Sequence, residues 1–158
     1  MSWQIARWYV VAIFLLIADQ LAKYTITQNF LYGEYINIFP GLDFTLVHNT
    51  GAAFSFLSDA GGWQRWLFLI ISLAASIVLI VWLYRLKASQ FFLSTSLALI
   101  LGGALGNLYD RIFLGYVIDF IDFYYGIYHW PVFNIADASI TLGAVFLIFE
   151  SFLVSKKV

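Results

Sequence analysis

The sequence predicts an all-α polytopic membrane protein with four transmembrane helices and a small extracytoplasmic β element. Of the 158 residues, 63% are apolar and only 11% are charged, whereas about a quarter of the residues of a soluble domain carry charge. Four apolar stretches are each close to the roughly 20 residues that cross a bilayer. A chain of this length therefore has room for one membrane-embedded domain.

Basic residues close to the predicted spans indicate how the helices are oriented. The spans are expected at about 8–27, 66–84, 91–109 and 134–154. Lys and Arg are enriched in short cytoplasmic loops. Here they precede the first span, separate the second from the third, and follow the fourth: Arg7, Arg85, Lys87, Lys156 and Lys157. Both termini are therefore expected in the cytoplasm, with the two longer loops outside.

The two outer loops have different patterns. Glu34–Phe39 and Leu42–Val47 alternate apolar and polar residues on either side of Pro40-Gly41, a turn signal, which predicts a β-hairpin within an outer β element at about 34–57. The second loop, about 112–133, is rich in aromatic residues, which settle in the headgroup region. It is expected to lie at the membrane interface, with Gly115 and Gly126 as hinges of a movable lid.

Several kinds of chemistry are excluded or disfavoured by composition. The chain has no cysteine, which removes thiol nucleophiles and thiolate metal sites. A net charge of −1 without a basic cluster gives no footprint for nucleic acid. Two histidines outside an HExxH pattern, and no Gly-x-Ser-x-Gly elbow, disfavour a zinc peptidase and a serine hydrolase.

Charged residues within the first span need a partner. Asp19 and Lys23 are four residues apart, so they can form an ion pair on one face of the helix. Such a pair can serve only to place two charges inside the bundle, or it can orient a nearby site.

Two further polar groups, one after the predicted hairpin and one at the end of the third helix, can each be explained by a structural or by a functional role. Asn49 and Gly51 suit a tight turn, or a surface on which a substrate backbone is bound. The third helix has Gly102 and Gly106 at the spacing of close helix packing, and ends in three polar residues that form either an ion-pair network or part of a site: Asn107, Asp110 and Arg111. An arginine there can hold a neighbouring carboxylate bidentately.

Asp119 and Asp137 flank the return of the chain to the membrane. Asn134 with Asp137 three residues later resembles a helix cap, which by itself could account for Asp137. If Asp119 and Asp137 instead meet about 4 Å apart, their repulsion is roughly 4 kcal/mol, or about three pKa units. They would then share a proton near neutral pH, which suits peptide hydrolysis by activated water.

The polar residues, taken in order along the chain, resemble the lipoprotein signal peptidase (signal peptidase II) family of bacterial membranes. The matching pieces are Asp19-Gln20-x-x-Lys23, Asn49-Thr50-Gly51-Ala52-Ala53-Phe54, Gly102-Gly103-Ala104-Leu105-Gly106-Asn107-Leu108-x-Asp110-Arg111, Gly115-x-Val117-x-Asp119-Phe120 and Phe133-Asn134-x-Ala136-Asp137. They extend from the first predicted helix to the fourth.

The resemblance implies an aspartic endopeptidase that removes signal peptides from prolipoproteins, cutting before a diacylglyceryl-modified cysteine. It implies Asp119 and Asp137 as the catalytic pair, with Asp122 outside the motif. The residues implied to shape the site or hold substrate are Asp19, Lys23, Asn49, Gly51, Asn107, Asp110, Arg111 and Asn134. We expect a monomer in the bacterial inner membrane that contacts lipid and has no cofactor, metal or nucleic-acid partner.

Two other functions compete with this interpretation. Ionisable residues within membranes often mark ion paths, so a proton-coupled transporter is one alternative. A non-enzymatic scaffold, in which ion pairs only assemble the helices, is the other. A scaffold should tolerate Asp119→Asn, whereas an aspartic peptidase should not.

Overall fold

The computed structural model describes residues 3–51, 62–87 and 89–155. Its elements are α1 (Trp3–Asn29), β1 (Tyr35–Phe39), β2 (Leu42–Asn49), α2 (Trp63–Arg85), α3 (Phe91–Phe113), β3 (Val117–Tyr125), β4 (Tyr128–His129) and α4 (Ile135–Ser155). Within these ranges, four helices are long and apolar enough to cross a membrane. The predicted class, a polytopic helical protein with a small outer sheet, is confirmed.

Helix α3 is the centre of the bundle. In its apolar span 61% of the residues are buried within the protein, against 17 to 22% in the other three helices. Glycines allow the close approach: a Cβ at Gly102 would lie 2.9 Å from the Ala12 carbonyl of α1, and one at Gly103 would lie 2.3 Å from the Ala136 carbonyl of α4. The packing role predicted for the glycine-rich stretch is therefore observed, and it brings α1 and α4 together against α3.

The outer β element is a four-stranded antiparallel sheet in the order β1-β2-β3-β4. The predicted hairpin is confirmed, because β1 and β2 pair on either side of Pro40-Gly41. β2 then pairs with β3, and this register places Val47 opposite Asp119. Residues 52–57 of the predicted β element, Ala52, Ala53 and Phe54 of the motif, and the basic residues Lys156 and Lys157 lie outside the described residues.

The aromatic segment 112–133, which we expected at the membrane interface, completes α3 and then forms part of the sheet. Ile112 and Phe113 complete α3, which ends where Gly115 adopts a φ of 87° and its N–H donates to the Asp110 carbonyl. The segment then supplies strands β3 and β4. Because β3 is buried on both faces for most of its length, its apolar residues form a nearly continuous run without strict alternation.

β3 also fixes the entry to α4. The backbone N–H groups of Phe120 and Ile121 donate to the Phe133 carbonyl, and the Phe133 N–H donates to Ile121. This pairing sets Asn134 beside Asp119 at the start of α4. A lid made of the whole segment would have to move Asp119 with it, and the lid motion of 112–133 stays a prediction.

Candidate active site

A buried lysine joins two carboxylates at the sheet end of the bundle. The Lys23 ammonium, 1% exposed, lies 2.8 Å from Asp19 Oδ2 and 2.8 Å from Asp110 Oδ2. It also donates to Asn107 Oδ1 at 3.1 Å. The predicted Asp19–Lys23 ion pair is present, and Asp110 of α3 completes it, so all three donor positions of the ammonium have acceptors.

The two carboxylates of this group are fully satisfied and tie three helices and the sheet together. Asp19 Oδ1 accepts the backbone N–H of Ala136 in the first turn of α4 at 2.9 Å. Asp110 Oδ2 accepts the N–H of Ile118 on β3 at 3.1 Å. We call Asp19, Lys23 and Asp110 the lysine cluster.

Gln20 is a member of this arrangement that the sequence analysis did not place in the site. Its side-chain amide donates to Asp19 Oδ2, to the Gly106 carbonyl and to Asp110 Oδ1, at 3.2, 3.2 and 2.9 Å. The available signal was an amide next to a charged residue in an otherwise apolar span.

Asp119 and Asp137 form a second group, held by amides. Asp119 Oδ1 accepts from Asn134 Nδ2 at 2.6 Å, and its Oδ2 accepts from Asn49 Nδ2 at 2.9 Å. Asp137 Oδ1 accepts from Asn107 Nδ2 at 2.7 Å. The structure thus brings both predicted carboxylates together with all three predicted asparagines, and we call this group the amide cluster.

The surrounding structure dictates which way each asparagine points. Lys23 can only donate, so Asn107 turns its oxygen to Lys23 and its amide to Asp137. Asn134 caps α4, because its oxygen accepts the Asp137 N–H at 2.9 Å; its amide is left for Asp119. Amide orientation is assigned from such networks. The cap predicted for Asn134 is present, and it coexists with the contact to Asp119.

A turn determines the orientation of the Asn49 side chain. Its oxygen accepts the Gly51 N–H at 2.9 Å, and this leaves its amide for Asp119. The turn interpretation and the site interpretation of Asn49 and Gly51 are therefore both realised, since the turn is what aims the amide.

The pKa of Asp119 is raised from 3.8 to about 7. Burial is the main cause, because desolvation disfavours the charged carboxylate, and the negative charge of Asp137 adds to it. The hydrogen bonds from Asn49 and Asn134 oppose the rise without cancelling it. Near neutral pH, Asp119 can therefore exchange a proton.

Arg111 has a different role from the one that we predicted. It donates to the Asn107 carbonyl at 3.3 Å, to the Gly51 carbonyl at 3.3 Å and to Ser72 Oγ at 3.5 Å. No salt bridge of Arg111 with a carboxylate occurs among the described residues, because the side chain extends toward α2 and the Asn49–Gly51 turn. Ser72 was not identified from the sequence, where a single serine in an apolar span carries little signal.

Asp122, the other acid of β3, lies apart from both groups. Its Oδ2 is 2.7 Å from Nδ1 of His129, on β4, and its buried Oδ1 has no partner among the described residues. Over the same part of the chain, no group of three or more His, Cys, Asp or Glu side chains is arranged to hold a metal ion.

Two carboxylates that are held by amide donors at one end of a bundle of membrane-spanning helices are the arrangement expected of a membrane aspartic peptidase. The model of the family described as signal peptidase (SPase) II matches residues 11–153. The chain belongs to the signal peptidase II family.

Individual relatives agree with this assignment. The lipoprotein signal peptidase of Shewanella baltica strain OS155 is 53% identical over 150 residues, which cover 95% of this chain and 88% of the relative. That of Shewanella oneidensis is 52% identical over 146 residues, covering 92% and 86%.

Solved structures share the fold. One, described as a bacterial membrane enzyme structure by the in meso method at 2.3 Å resolution, superposes with a TM-score of 0.86 at 32% identity, covering 96% of this chain and 91% of that chain. A second, described in the same words at 1.9 Å resolution, has a TM-score of 0.79 at 34% identity and covers 92% of each chain.

Proposed function

We propose that this chain removes signal peptides from diacylglyceryl-modified prolipoproteins, cutting just before the lipid-bearing cysteine, with Asp119 and Asp137 as the catalytic pair. The observation that carries the proposal is the amide cluster. Asp119 is buried and Asp137 is partly buried, both are bound by amides rather than by an ammonium, and Asp119 has a pKa of about 7. Such a pair can hold one proton between them at neutral pH.

The reaction follows from that proton. The ionised carboxylate takes a proton from a water molecule as the water oxygen attacks the scissile carbonyl carbon, while the protonated carboxyl donates a hydrogen bond to the carbonyl oxygen. The tetrahedral intermediate then collapses as a proton passes to the leaving amine, which is the nitrogen of the lipid-bearing cysteine. One water is consumed and the signal peptide leaves with a new carboxylate.

The other predicted residues hold the pair in place. Asn49, Asn107 and Asn134 keep donor groups aimed at the two carboxylates, so the oxygens that face the substrate keep a fixed position. The lysine cluster anchors Asn107 and the first turn of α4. Arg111 holds Gly51, and through it the turn that aims Asn49.

We place the site at the extracytoplasmic face of the bacterial inner membrane. Arg85 ends α2, and Arg7 lies in the first turns of α1, so these two arginines are at the end of the bundle opposite the sheet. The positive-inside rule then directs the sheet outward. Exposed Tyr125, Ile127 and Tyr128 at the β3–β4 turn suit contact with lipid headgroups and acyl chains, and a single copy of the chain contains every residue of the proposed site.

The test compares three carboxylates in one assay. Purified wild type, Asp119→Asn, Asp137→Asn and Asp122→Asn are incubated with a diacylglyceryl-modified prolipoprotein, and thermal unfolding is recorded for each. We expect Asp119→Asn and Asp137→Asn to lose at least about 10³-fold in kcat. Asp122→Asn is the matched control, from the same strand and equally buried, and should cleave within a few-fold of wild type.

The possible failures point in different directions. Normal cleavage by a folded Asp119→Asn or Asp137→Asn variant would remove that residue from the catalytic pair. A wild type that never cleaves would favour the transporter or the scaffold.

A further inference from the structure

A cavity of about 590 Å³ opens beside Asp137, between α4 and the β3–β4 hairpin. Phe123 and Trp130 of the hairpin region cover one side. Asp137, Thr141 and Val145 line the other side, and because they are four residues apart they form one stripe along α4. The cavity therefore starts at Asp137, one member of the proposed catalytic pair, and runs about 12 Å along the helix into the membrane.

The lower part of the cavity is open toward the bilayer. Val145 is 54% exposed and Leu142, also in the lining, is 48% exposed. A molecule that resides in the membrane can enter sideways along α4 without crossing water.

We propose that this cavity binds one acyl chain of the diacylglyceryl group while the scissile bond lies at Asp119 and Asp137. The inference rests on the proposed function, since it assigns a place to the lipid of that substrate. The acyl chain would lie along Thr141, Leu142 and Val145, under the cover of Trp130.

The lining of the cavity favours an acyl chain over an extended stretch of the signal peptide. The N–H and C=O groups of an extended peptide would need hydrogen-bond partners. Along α4 the lining offers only two polar side chains, those of Asp137 and Thr141. An alkyl chain has no such requirement.

Thr141 fits the polar end of the same ligand. Thr25 of α1, Thr95 of α3 and Ser139 of α4 donate to the carbonyl four residues earlier, whereas the Thr141 hydroxyl makes no hydrogen bond within the described residues. It lies about one turn, ~6 Å along the axis, from Asp137. From there it can donate to an ester carbonyl of the glyceryl group, which makes it a positioning residue.

A cavity-filling variant and a matched control test the acyl site. Two synthetic prolipopeptides of one sequence, with dihexanoylglyceryl and dipalmitoylglyceryl groups, are cleaved by wild type, Val145→Trp and Ile148→Trp in nanodiscs. Ile148 is a suitable control because it is 58% exposed on α4 but is not part of the cavity lining. We expect Val145→Trp to raise the KM ratio of long to short chains at least tenfold over wild type, and Ile148→Trp to leave it unchanged.

Thr141→Val provides a second measurement that does not depend on a bulky residue. It removes the hydroxyl at nearly constant volume and should raise KM for both substrates several-fold with little change in kcat. Thr141→Ser keeps a hydroxyl donor, so its KM should be the same as that of wild type.

The outcomes separate this inference from the function on which it rests. If Val145→Trp and Ile148→Trp give the same KM ratio, the cavity does not hold the substrate acyl chain. If Val145→Trp raises KM equally for both chain lengths, the cavity holds peptide, which also overturns the inference. In both cases the peptidase assignment stands. If wild type cleaves neither substrate, or Asp119→Asn cleaves both, the proposed function itself fails and the inference fails with it.

Discussion

The lysine cluster and the amide cluster contain the same acidic residue type, yet the partners of the carboxylates differ. Asp19 and Asp110 share the ammonium of Lys23 and accept further hydrogen bonds at each oxygen. Asp119 and Asp137 have neutral amide donors and each other's charge. A cation within hydrogen-bonding distance holds a carboxylate ionised, whereas neutral donors in a buried site leave its protonation to desolvation and to the neighbouring acid.

The comparison indicates that the lysine cluster holds the helices together, whereas the amide cluster is the group suited to proton transfer. Asp19 and Asp110 join α1, α3, α4 and β3 through the ammonium of Lys23 and two backbone N–H groups, whereas the carboxylates of the amide cluster are bonded by neutral donors. Asn107 connects the two groups, since its oxygen binds Lys23 and its amide binds Asp137. The lysine cluster thereby fixes the orientation of the Asn107 amide that donates to Asp137. Five predictions test this division.

The largest effect on stability is expected when the lysine cluster loses its cation. Lys23→Met leaves Asp19 and Asp110 buried without a counter-charge, which should cost about 3–5 kcal/mol in the free energy of unfolding. Thermal unfolding in detergent measures it, with the exposed Lys87→Met as a control that should be neutral. If Lys23→Met unfolds like wild type, the lysine cluster is not a structural anchor.

The connection between the clusters is tested at Asn107. Asn107→Leu preserves volume but removes the donor to Asp137, a hydrogen bond to a charged group worth about 1.5–3 kcal/mol. We expect kcat to fall about 10- to 100-fold in a variant that still folds. Unchanged kcat in the folded variant would mean that Asp137 needs no oriented donor.

The pKa of Asp119 predicts a pH dependence that the lysine cluster should not produce. With a pKa of about 7, the protonated fraction falls about tenfold between about pH 6 and about pH 8. If the pair must hold one proton, kcat/KM should fall by the same factor over that range. A profile that stays flat up to about pH 9 would contradict the shared proton.

The same pKa shift has a consequence for stability. Folded Asp119 binds its proton more tightly than unfolded Asp119, so its stabilising contribution is complete below a pH of about 3.8 and is lost as the pH rises through about 7. Stability from this group therefore decreases with rising pH. Asp119→Asn should lack that slope, so its unfolding temperature relative to wild type should increase from acid to neutral pH.

The smallest effect is expected for Gln20, whose side-chain amide donates to the lysine cluster. Gln20→Met removes donors to Asp19 and Asp110 while Lys23 remains, so the free energy of unfolding should drop by about 1 kcal/mol. Cleavage should stay within about twofold of wild type. A loss of activity as large as that of Asn107→Leu would show that the two clusters are not separable.

Much of the architecture could be predicted from local patterns. Four apolar stretches of bilayer length, the turn at Pro40-Gly41 and the glycines of α3 each act through near neighbours in the chain. The helices run beyond the apolar stretches, as at Trp3 and Phe113, because polar and aromatic residues continue a helix at the interface without adding to the hydrophobic signal. The pair Asp119 and Asp137 was predicted from the ordered motifs, and their catalytic role remains a prediction.

The strand nature of 117–125 and the role of Arg111 could not be predicted in this way. β3 is defined by its pairing with β2, about 70 to 80 positions earlier, and its buried faces conceal the alternation that identifies a strand. Arg111 was expected beside a carboxylate because opposite charges attract. In the folded chain Lys23 occupies that place, and Arg111 binds backbone carbonyls and Ser72 instead.

The sequence by itself determined that the chain crosses a membrane with four helices, that a hairpin follows the first, and that acids and asparagines gather toward one face. Only the tertiary structure decided which acids are bonded to a cation and which to amides. The reason is that the protonation and the orientation of a polar side chain depend on groups contributed by distant elements. Lys23 on α1 reaches Asp110 and Asn107 only after the helices and the sheet have packed. The same packing brings Asn49 on β2 and Asn134 before α4 to Asp119.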